Sequence, residues 1–383
     1  MIKIGAEQAL IGGSLKSALV EIDSGRISKI LLSPTPIEME NADYHLASGF
    51  LSPGLIDLQI NGCFGADFAS ATSTQWLHML TSLAKHGVTS IAPTIITAPI
   101  AEMVASIERA KSFGIFTEQK GATRVLGFHV EGPYLSVKYR GAHEERFLED
   151  PEHAEIQQFV ATQAVCIFTL APERVGADLA IKQLVDAGVV VSIGHSDASA
   201  DDVRRAVANG ARFATHVYNA QRKPNDVDGG LAEILFAHEE LCYGLIDDEV
   251  HVPRERVNEA FKSAGARIVL VTDAVSAMGM PPGEYLLGGF PIVVRAGDVA
   301  RRIDGIMAGS VLALDEAVSN CINGGNDPVV ALEAATRTPA DLIGRNDLGR
   351  IEVGAQADLV WLTGPTAKLR ATKTWMAGEE IAN

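Results

Sequence analysis

The sequence has few cysteines and little positive charge. Its four cysteines, Cys63, Cys166, Cys242 and Cys321, lie far apart without a C-x-x-C pair, which argues against a disulfide framework and favours reduced thiols in the core. Lysine and arginine number 32 against 48 aspartate and glutamate residues, and the formal net charge is -16. Because a nucleic-acid partner requires a basic face, this charge balance argues against nucleic-acid binding.

Long hydrophobic runs are also missing. No stretch approaches the roughly eighteen apolar residues of a membrane span, so we expect no membrane partner. The opening residues, MIKIGAEQALIGGSLKS, lack a basic segment followed by a long apolar core and a small-residue cleavage site, and we therefore expect a cytoplasmic protein. With 383 residues, 47% of them hydrophobic, the chain is long enough for one large barrel or two domains.

The sequence does contain an alternation of short apolar runs with helical patterns. STQWLHMLTSLAKHG, ADLAIKQLVDAG and SADDVRRAVANG have helical spacing, and the last two end on a glycine, where a left-handed cap is expected. The apolar runs are GLIDLQI, GVTSIAPTI, RVLGFHVEG, VCIFTLAPE, GVVVSIGHS, ARFATHVYNA, LCYGLIDD and RIVLVTDA. Apolar strands separated by helices indicate a parallel sheet covered on both faces. Eight such units predict an α/β fold, a (β/α)8 TIM-type barrel, whose active site lies at the carboxyl ends of the strands.

Polar side chains follow these predicted strands. They are Asp57, Gln59, Asn61, Thr94, Glu131, His195, His216, Asn219, Asp247, His251 and Asp273. Glu131, His195 and His216 offer one carboxylate oxygen and two imidazole nitrogens, which suit zinc or another divalent cation such as Fe²⁺ with a position left open for water. Such an ion lowers the pKa of bound water, which would supply a nucleophile near neutral pH, and Asp273 is the candidate proton carrier.

Five motifs together resemble a known family. SPGLIDLQING, HVEGPYL, GHSDA, THVYNA and LVTDA, in this order and spacing, are similar to those of the N-acetylglucosamine-6-phosphate deacetylases of the amidohydrolase superfamily. SGRISKI and LGRIEVGAQADLVWL resemble the two parts of the family's small flanking β-sandwich. The resemblance implies a sandwich built from residues 1–50 and 346–383 around a barrel of residues 51–345. It also implies hydrolysis of N-acetylglucosamine 6-phosphate to glucosamine 6-phosphate and acetate, in amino-sugar catabolism, by a homodimer.

The resemblance assigns roles to individual residues. Glu131, His195 and His216 match the metal ligands, and Asp273 matches the aspartate that deprotonates water and then protonates the leaving nitrogen. His143 matches the histidine that helps polarise the amide carbonyl. Substrate contacts are implied for Ala142, Asn219, Ala220, His251, Ile306, Met307 and Ala308.

Two features depart from the family's common pattern. Many amidohydrolases hold a second metal with a His-x-His pair after the first strand, whereas this chain has Gln59 and Asn61. Because amides are poor zinc ligands, we expect a single metal ion. Members that bind the 6-phosphate often contribute an arginine across the dimer interface, and an ungapped alignment places Val227 there. Arg222 and Lys223 are the candidate replacements for that charge-assisted clamp.

Three classes of function stay open at this point. The first is the metal-dependent amino-sugar deacetylase, which the retained glutamate, histidines and aspartate favour. The second is an amidohydrolase acting on a different N-acetylated amino sugar, unphosphorylated or galacto-configured, or on another N-acyl or cyclic amide. The third is a sugar-binding or scaffold protein without catalysis.

Overall fold

The computed structural model describes residues 1–224, 229–365 and 368–381. In chain order, the strands are β1 (Ile2–Leu10), β2 (Leu15–Asp23), β3 (Arg26–Leu32), β4 (Tyr44–Leu46), β5 (Phe50–Pro53), β6 (Leu55–Ile60), β7 (Gly62–Cys63), β8 (Ala66–Asp67), β9 (Val88–Ile96), β10 (Arg124–Val125), β11 (Phe128–Glu131), β12 (Val165–Leu170), β13 (Val190–Ile193), β14 (Phe213–Ala214), β15 (Cys242–Leu245), β16 (Ile268–Leu270), β17 (Gly283–Leu287), β18 (Phe290–Val294), β19 (Arg301–Arg302), β20 (Leu359–Thr363), β21 (Arg370–Met376) and β22 (Glu379–Glu380). The α-helices are α1 (Pro36–Glu40), α2 (Ser73–Lys85), α3 (Ile100–Ser112), α4 (His153–Ala161), α5 (Ala177–Asp186), α6 (Ala200–Ala208), α7 (Leu231–Phe236), α8 (Arg254–Ala264), α9 (Leu314–Asn323), α10 (Pro328–Ala334) and α11 (Arg337–Leu342).

The eight apolar runs form a barrel of parallel strands. The order is β6, β9, β11, β12, β13, β14, β15 and β16, with parallel pairing throughout. The barrel closes just beyond β16, where the backbone N–H of Asp273 donates to the carbonyl oxygen of Gln59 at 2.8 Å and that of Asn61 donates to Ala274 at 2.7 Å. The predicted (β/α)8 barrel is therefore confirmed.

Three predicted site residues lie just past the ends of their strands. β13, β14 and β16 end two or three residues before His195, His216 and Asp273. These three residues have φ values of 48°, 24° and 47°, a left-handed backbone conformation that is unfavourable for residues other than glycine. The chain therefore turns sharply at each of these positions, at the mouth of the barrel.

The helices that follow the barrel strands bury one apolar face each. α2 begins with a capping box, in which Thr72 accepts from the backbone of Gln75 and the Gln75 side chain accepts from the backbone of Thr72. Its buried Trp76 packs against Phe68 and Phe128, with ring centroids 4.6 and 6.1 Å away, which attaches the helix to β11. The glycines after α5 and α6 have positive φ, as predicted. No helix within the described ranges is long and apolar enough to cross a membrane.

The two ends of the chain meet in a separate sheet beside the barrel. Its order is β22, β21, β20, β5, β1, β2 and β3, and β4 also pairs with β1. Ile4, Val20 and Leu51 from the first part pack with Leu359 and Trp375 from the second in one small core. This arrangement is consistent with the expected flanking sandwich. Because β5 belongs to this sheet, the chain enters the barrel after Pro53.

A third sheet lies at the mouth of the barrel. β17, β18 and β19 form an antiparallel unit between β16 and α9. Leu287, Ile292 and Ala300 of this segment pack against Ile96, at the carboxyl end of β9, and against Ala308. The unit therefore forms one wall beside the carboxyl ends of the barrel strands.

Candidate metal centre and active site

A cavity of about 220 Å³ opens at the carboxyl ends of the barrel strands. Its lining brings together residues from most of the barrel loops and from the three-stranded unit. The predicted site residues among them are Asn61, Glu131, Ala142, His143, His195, His216, Asn219, Ala220, His251, Asp273, Ile306, Met307 and Ala308. Residues far apart in the sequence therefore share one pocket, at the position that the barrel fold predicts.

Glu131, His195 and His216 place three ligand atoms next to one another. Oε1 of Glu131 lies 3.1 Å from Nε2 of His216 and 3.4 Å from Nε2 of His195, and the two ring nitrogens are 3.0 Å apart. All three side chains are buried. Nδ1 of His195 lies 3.0 Å from the carbonyl oxygen of Tyr139, so Nδ1 donates its hydrogen there and Nε2 presents a lone pair. A buried carboxylate oxygen beside two imidazole nitrogens fits one divalent cation.

The charge state of Glu131 suits cation binding. Burial by itself would raise the pKa of this carboxyl group, but its contacts with the imidazoles of His195 and His216 hold the pKa well below its usual range. Burial would likewise lower the pKa of His216, but the hydrogen bond and charge of Glu131 raise it overall. Glu131 is therefore an anionic group in contact with two imidazoles.

Gln59 supports Glu131 from inside the barrel. Its Nε2 donates to Oε1 of Glu131 at 2.9 Å, and its Oε1 accepts from the hydroxyl of Thr215 at 2.6 Å. The side chain is fully buried. Because both ends of the amide are used in these hydrogen bonds, the position orients a carboxylate instead of offering a second set of ligand atoms, in keeping with a single-ion site.

Asp273 lies across the cavity and is held by Asn61. Nδ2 of Asn61 donates to Oδ1 of Asp273 at 2.7 Å. Burial, reinforced by the negative charge of Glu131, raises the pKa of Asp273 to about 6. A carboxyl group with this pKa can both accept and release a proton near neutral pH.

Asp57 lies deeper, beneath the cavity. Its Oδ2 accepts from the hydroxyl of Thr272 at 2.6 Å, and its Oδ1 accepts from the backbone N–H groups of Gln59 and Thr272. Burial raises the pKa of Asp57 to about 7. These contacts join β6 to the residues after β16 and hold the backbone beside Asp273.

Two residues that sequence reasoning missed contact predicted site histidines. Oγ1 of Thr97 lies 2.8 Å from Nδ1 of His143, and Oδ2 of Asp248 lies 2.6 Å from Nδ1 of His251. Burial lowers the pKa of His143 to about 3, so this ring is neutral. Thr97 lies two residues after the predicted strand GVTSIAPTI, and Asp248 is the last residue of LCYGLIDD. Both are polar residues at the end of a predicted strand, so the criterion that selected the other candidate residues would also have selected them.

Arg222 and Lys223 are absent from the cavity lining within the described ranges. Lys223 is exposed, whereas Arg222 is half-buried and its backbone bonds to Ser196 and Leu231. Val227, the position matched to the family's arginine, falls outside the described residues. A role for Arg222 or Lys223 in phosphate binding stays a prediction.

Comparison with known proteins agrees with this geometry. Residues 50–381 match the model of the amidohydrolase family. The chain is 34% identical to N-acetylglucosamine-6-phosphate deacetylase of Danio rerio, over 86% of this chain and 84% of that protein. It is also 34% identical to N-acetylgalactosamine-6-phosphate deacetylase of Shewanella sp. strain ANA-3, over 99% of this chain and 95% of that protein.

Solved structures show the same similarity over the whole chain. A variant of N-acetyl-D-glucosamine-6-phosphate deacetylase from Mycobacterium smegmatis, in complex with N-acetyl-D-glucosamine-6-phosphate, is similar with a TM-score of 0.91. It is 30% identical, and the match covers 100% of this chain and 99% of that one. By sequence, fold and the composition of its cavity, the chain belongs to the amidohydrolase family, in the group that contains the N-acetylglucosamine-6-phosphate deacetylases.

Proposed function

We propose that this protein hydrolyses the acetamido group of N-acetylglucosamine 6-phosphate, releasing acetate and glucosamine 6-phosphate in amino-sugar catabolism. The observation that carries this proposal is the convergence of Glu131, His195, His216 and Asp273 on one cavity. It is supported by the similarity of almost the whole chain to enzymes with that activity in their names.

Glu131, His195 and His216 are the residues that would hold one divalent cation, with zinc expected first and Fe²⁺ as the alternative. When bound, the cation supplies Lewis acidity, which lowers the pKa of water and polarises a carbonyl group. Asp273 takes the proton from the attacking water and returns it to the leaving nitrogen, and the pKa of about 6 suits both steps. His143 donates a hydrogen bond to the amide oxygen, on which negative charge develops.

The rest of the cavity suits a sugar ring. Ile96, Leu287 and Met307 supply apolar contact surface, and Asn219 and His251 supply hydrogen-bonding groups. Asp248 orients His251, because its carboxylate accepts from Nδ1 and from the backbone N–H of that residue. The ring of His251 is thereby held with Nε2 free to contact a sugar hydroxyl or an anionic substituent.

One observation favours a second candidate substrate. Within the described ranges, neither lysine nor arginine lines the cavity, so a phosphate would rely on histidine, amide and backbone groups or on a second subunit. Deacetylation of an unphosphorylated N-acetylated amino sugar is therefore the alternative. A galacto-configured substrate is a further alternative, because the chain is 34% identical to an N-acetylgalactosamine-6-phosphate deacetylase.

Rates on three substrates distinguish these candidates. Zinc-reconstituted protein is assayed for acetate release from N-acetylglucosamine, its 6-phosphate and N-acetylgalactosamine 6-phosphate, with Glu131→Gln as the control that lacks a metal ligand. We expect the highest kcat/KM on N-acetylglucosamine 6-phosphate and none in the control. Preference for the unphosphorylated or galacto sugar would establish the alternative, and zinc-bound protein inactive on all three would refute amino-sugar deacetylation.

We also infer a homodimer in the cytoplasm, on the resemblance to the family. Light scattering coupled to size-exclusion chromatography measures the mass of the assembly. A mass of about twice 40.6 kDa is expected, and a monomeric mass in a fully active preparation would contradict the inference.

A further inference from the structure

We propose that Thr97 is a positioning residue that holds His143 in the tautomer with its ring hydrogen on Nε2, directed to the cavity. Thr97 directly follows β9, and His143 lies in the loop after β11. Both side chains are buried, and His143 lines the cavity. Bulk water is therefore kept from the nitrogen of His143 that faces Thr97.

Thr97 contacts Nδ1 of His143 with two of its groups. Its hydroxyl oxygen lies 2.8 Å from Nδ1, and its backbone N–H donates toward the same nitrogen at 3.4 Å. The hydroxyl is also 3.2 Å from the carbonyl oxygen of Glu131. A hydroxyl can give or accept a hydrogen, so its contacts alone allow either tautomer of the histidine.

The backbone contact decides between the tautomers. A peptide N–H can only donate, so Nδ1 of His143 must present a lone pair to it. A hydrogen on Nδ1 would instead face the hydrogen of the Thr97 peptide, which is a repulsive contact between two donors. The remaining ring hydrogen therefore resides on Nε2.

The position of Nε2 explains why this tautomer matters for catalysis. Nε2 of His143 lies 3.7 Å from Oε2 of Glu131, close to the three candidate metal ligands. A neutral imidazole can polarise a carbonyl oxygen only through a nitrogen that carries hydrogen. This consequence for catalysis rests on the proposed function, whereas the tautomer itself does not.

The glycine of the motif HVEGPYL leaves room for this contact. Gly132 has a φ of +84°, and a Cβ atom at this residue would lie 2.1 Å from the hydroxyl oxygen of Thr97. The positive φ is one reason for glycine beside the candidate metal ligand Glu131. The second reason is that the hydroxyl of Thr97 occupies the space that a side chain would need.

Nitrogen NMR tests the tautomer directly. Zinc-loaded protein labelled with ¹⁵N-histidine is compared with the His143→Gln variant, which identifies the signals of His143. We expect the ring hydrogen on Nε2 and a lone pair on Nδ1. A hydrogen on Nδ1 of His143 overturns the proposal, even if the protein proves to act on a different substrate.

Two substitutions test the positioning role. Thr97→Val keeps the shape of the side chain and the backbone N–H that sets the tautomer, but removes the hydroxyl that orients the ring at 2.8 Å from Nδ1. We expect kcat to fall about five- to tenfold while KM changes little. Thr97→Ser restores the hydroxyl and should recover most of the rate. Equal losses in the two variants, or an unchanged kcat in Thr97→Val, would overturn the positioning role.

A separate set of contacts holds the same loop from outside. Nη1 of Arg302, on β19, donates to the carbonyl oxygen of Ala142 and to Oε1 of Glu144, each at 2.8 Å. These acceptors lie on either side of His143 in the sequence. We infer that Arg302 is a second positioning residue, through which the three-stranded unit holds the His143 loop in place.

The neighbouring Arg301 is a matched control for Arg302. Its guanidinium binds Asp298 and the carbonyl oxygen of Gly305, within the three-stranded unit itself. Arg302→Met should speed hydrogen exchange across residues 140–147 and lower kcat about threefold to tenfold, with little change in KM. Arg301→Met should do neither. The same exchange and kcat in both variants, or an unaffected Arg302→Met, would refute this inference.

Discussion

Replacing Asn61 by alanine should move the acid limb of the pH–rate profile to higher pH. Nδ2 of Asn61 donates to Oδ1 of Asp273 at 2.7 Å, and this hydrogen bond favours the charged carboxylate and lowers its pKa. In the proposed mechanism Asp273 acts as a base only when deprotonated, so activity is expected to fall as pH falls through its pKa. Without the hydrogen bond the pKa rises, and the loss of activity begins at higher pH.

The size of the shift follows from the energy of that hydrogen bond. A hydrogen bond to a charged group contributes about 1.5–3 kcal/mol, and about 1.4 kcal/mol corresponds to one pKa unit. Because the cavity is open and water can replace part of the lost donor, we expect a shift of about one unit. The same change should leave metal content unaltered, since Asn61 contacts Asp273 and not the three candidate ligands.

The assay is kcat/KM of zinc-loaded protein, measured from about pH 5 to about pH 8. Asn219→Ala is the matched control, because Asn219 is another cavity amide whose side chain donates to the carbonyl oxygen of Val217. This control should change KM without moving the acid limb. An acid limb unmoved in Asn61→Ala, or moved equally in both variants, would refute the reasoning.

Three further variants test other parts of the molecule. Asp273→Asn should keep its metal, measured by mass spectrometry of the metal content, but lose about a hundredfold to ten-thousandfold in kcat, because the proposed proton carrier is removed. Gln59→Leu should weaken zinc binding about ten- to hundredfold in a chelator competition, because Glu131 loses its supporting donor. Trp76→Ala should lower the free energy of unfolding by about 3–5 kcal/mol in denaturant titration, because the buried ring packs on Phe68 and Phe128.

The barrel fold could be predicted from the sequence because the patterns that indicate it involve only neighbouring residues. Valine-rich runs of strand length, helical spacing between them and a glycine after α5 and α6 each reflect the conformation of a few neighbouring residues. The convergence of Glu131, His195 and His216 then follows from the fold, since parallel strands deliver their carboxyl ends to one mouth. The predicted strands ran past their true ends because His195 and His216 adopt left-handed turns that residue type alone does not indicate.

The contacts that hold the site residues in place could not be predicted in this way, because no pattern of neighbouring residues indicates them. Arg302 reaches the His143 loop only because a three-stranded unit folds back over the barrel mouth, 158 residues further along the chain than Glu144. Lys223 was chosen because it lies in the same loop as Val227, the position matched to the family's arginine. Its side chain is exposed, and its role in phosphate binding stays a prediction. Which residues share a cavity depends on the direction in which each loop leaves its strand.

The sheet that joins the chain ends has a consequence for folding during synthesis. β5 pairs with β1 and with β20, which lies about three hundred residues later. The first five strands therefore leave the ribosome long before the partner that covers the edge of β5, and an exposed edge of this kind is prone to pair with other chains. We expect the barrel to form first and the small core around Leu51 and Trp375 to close last.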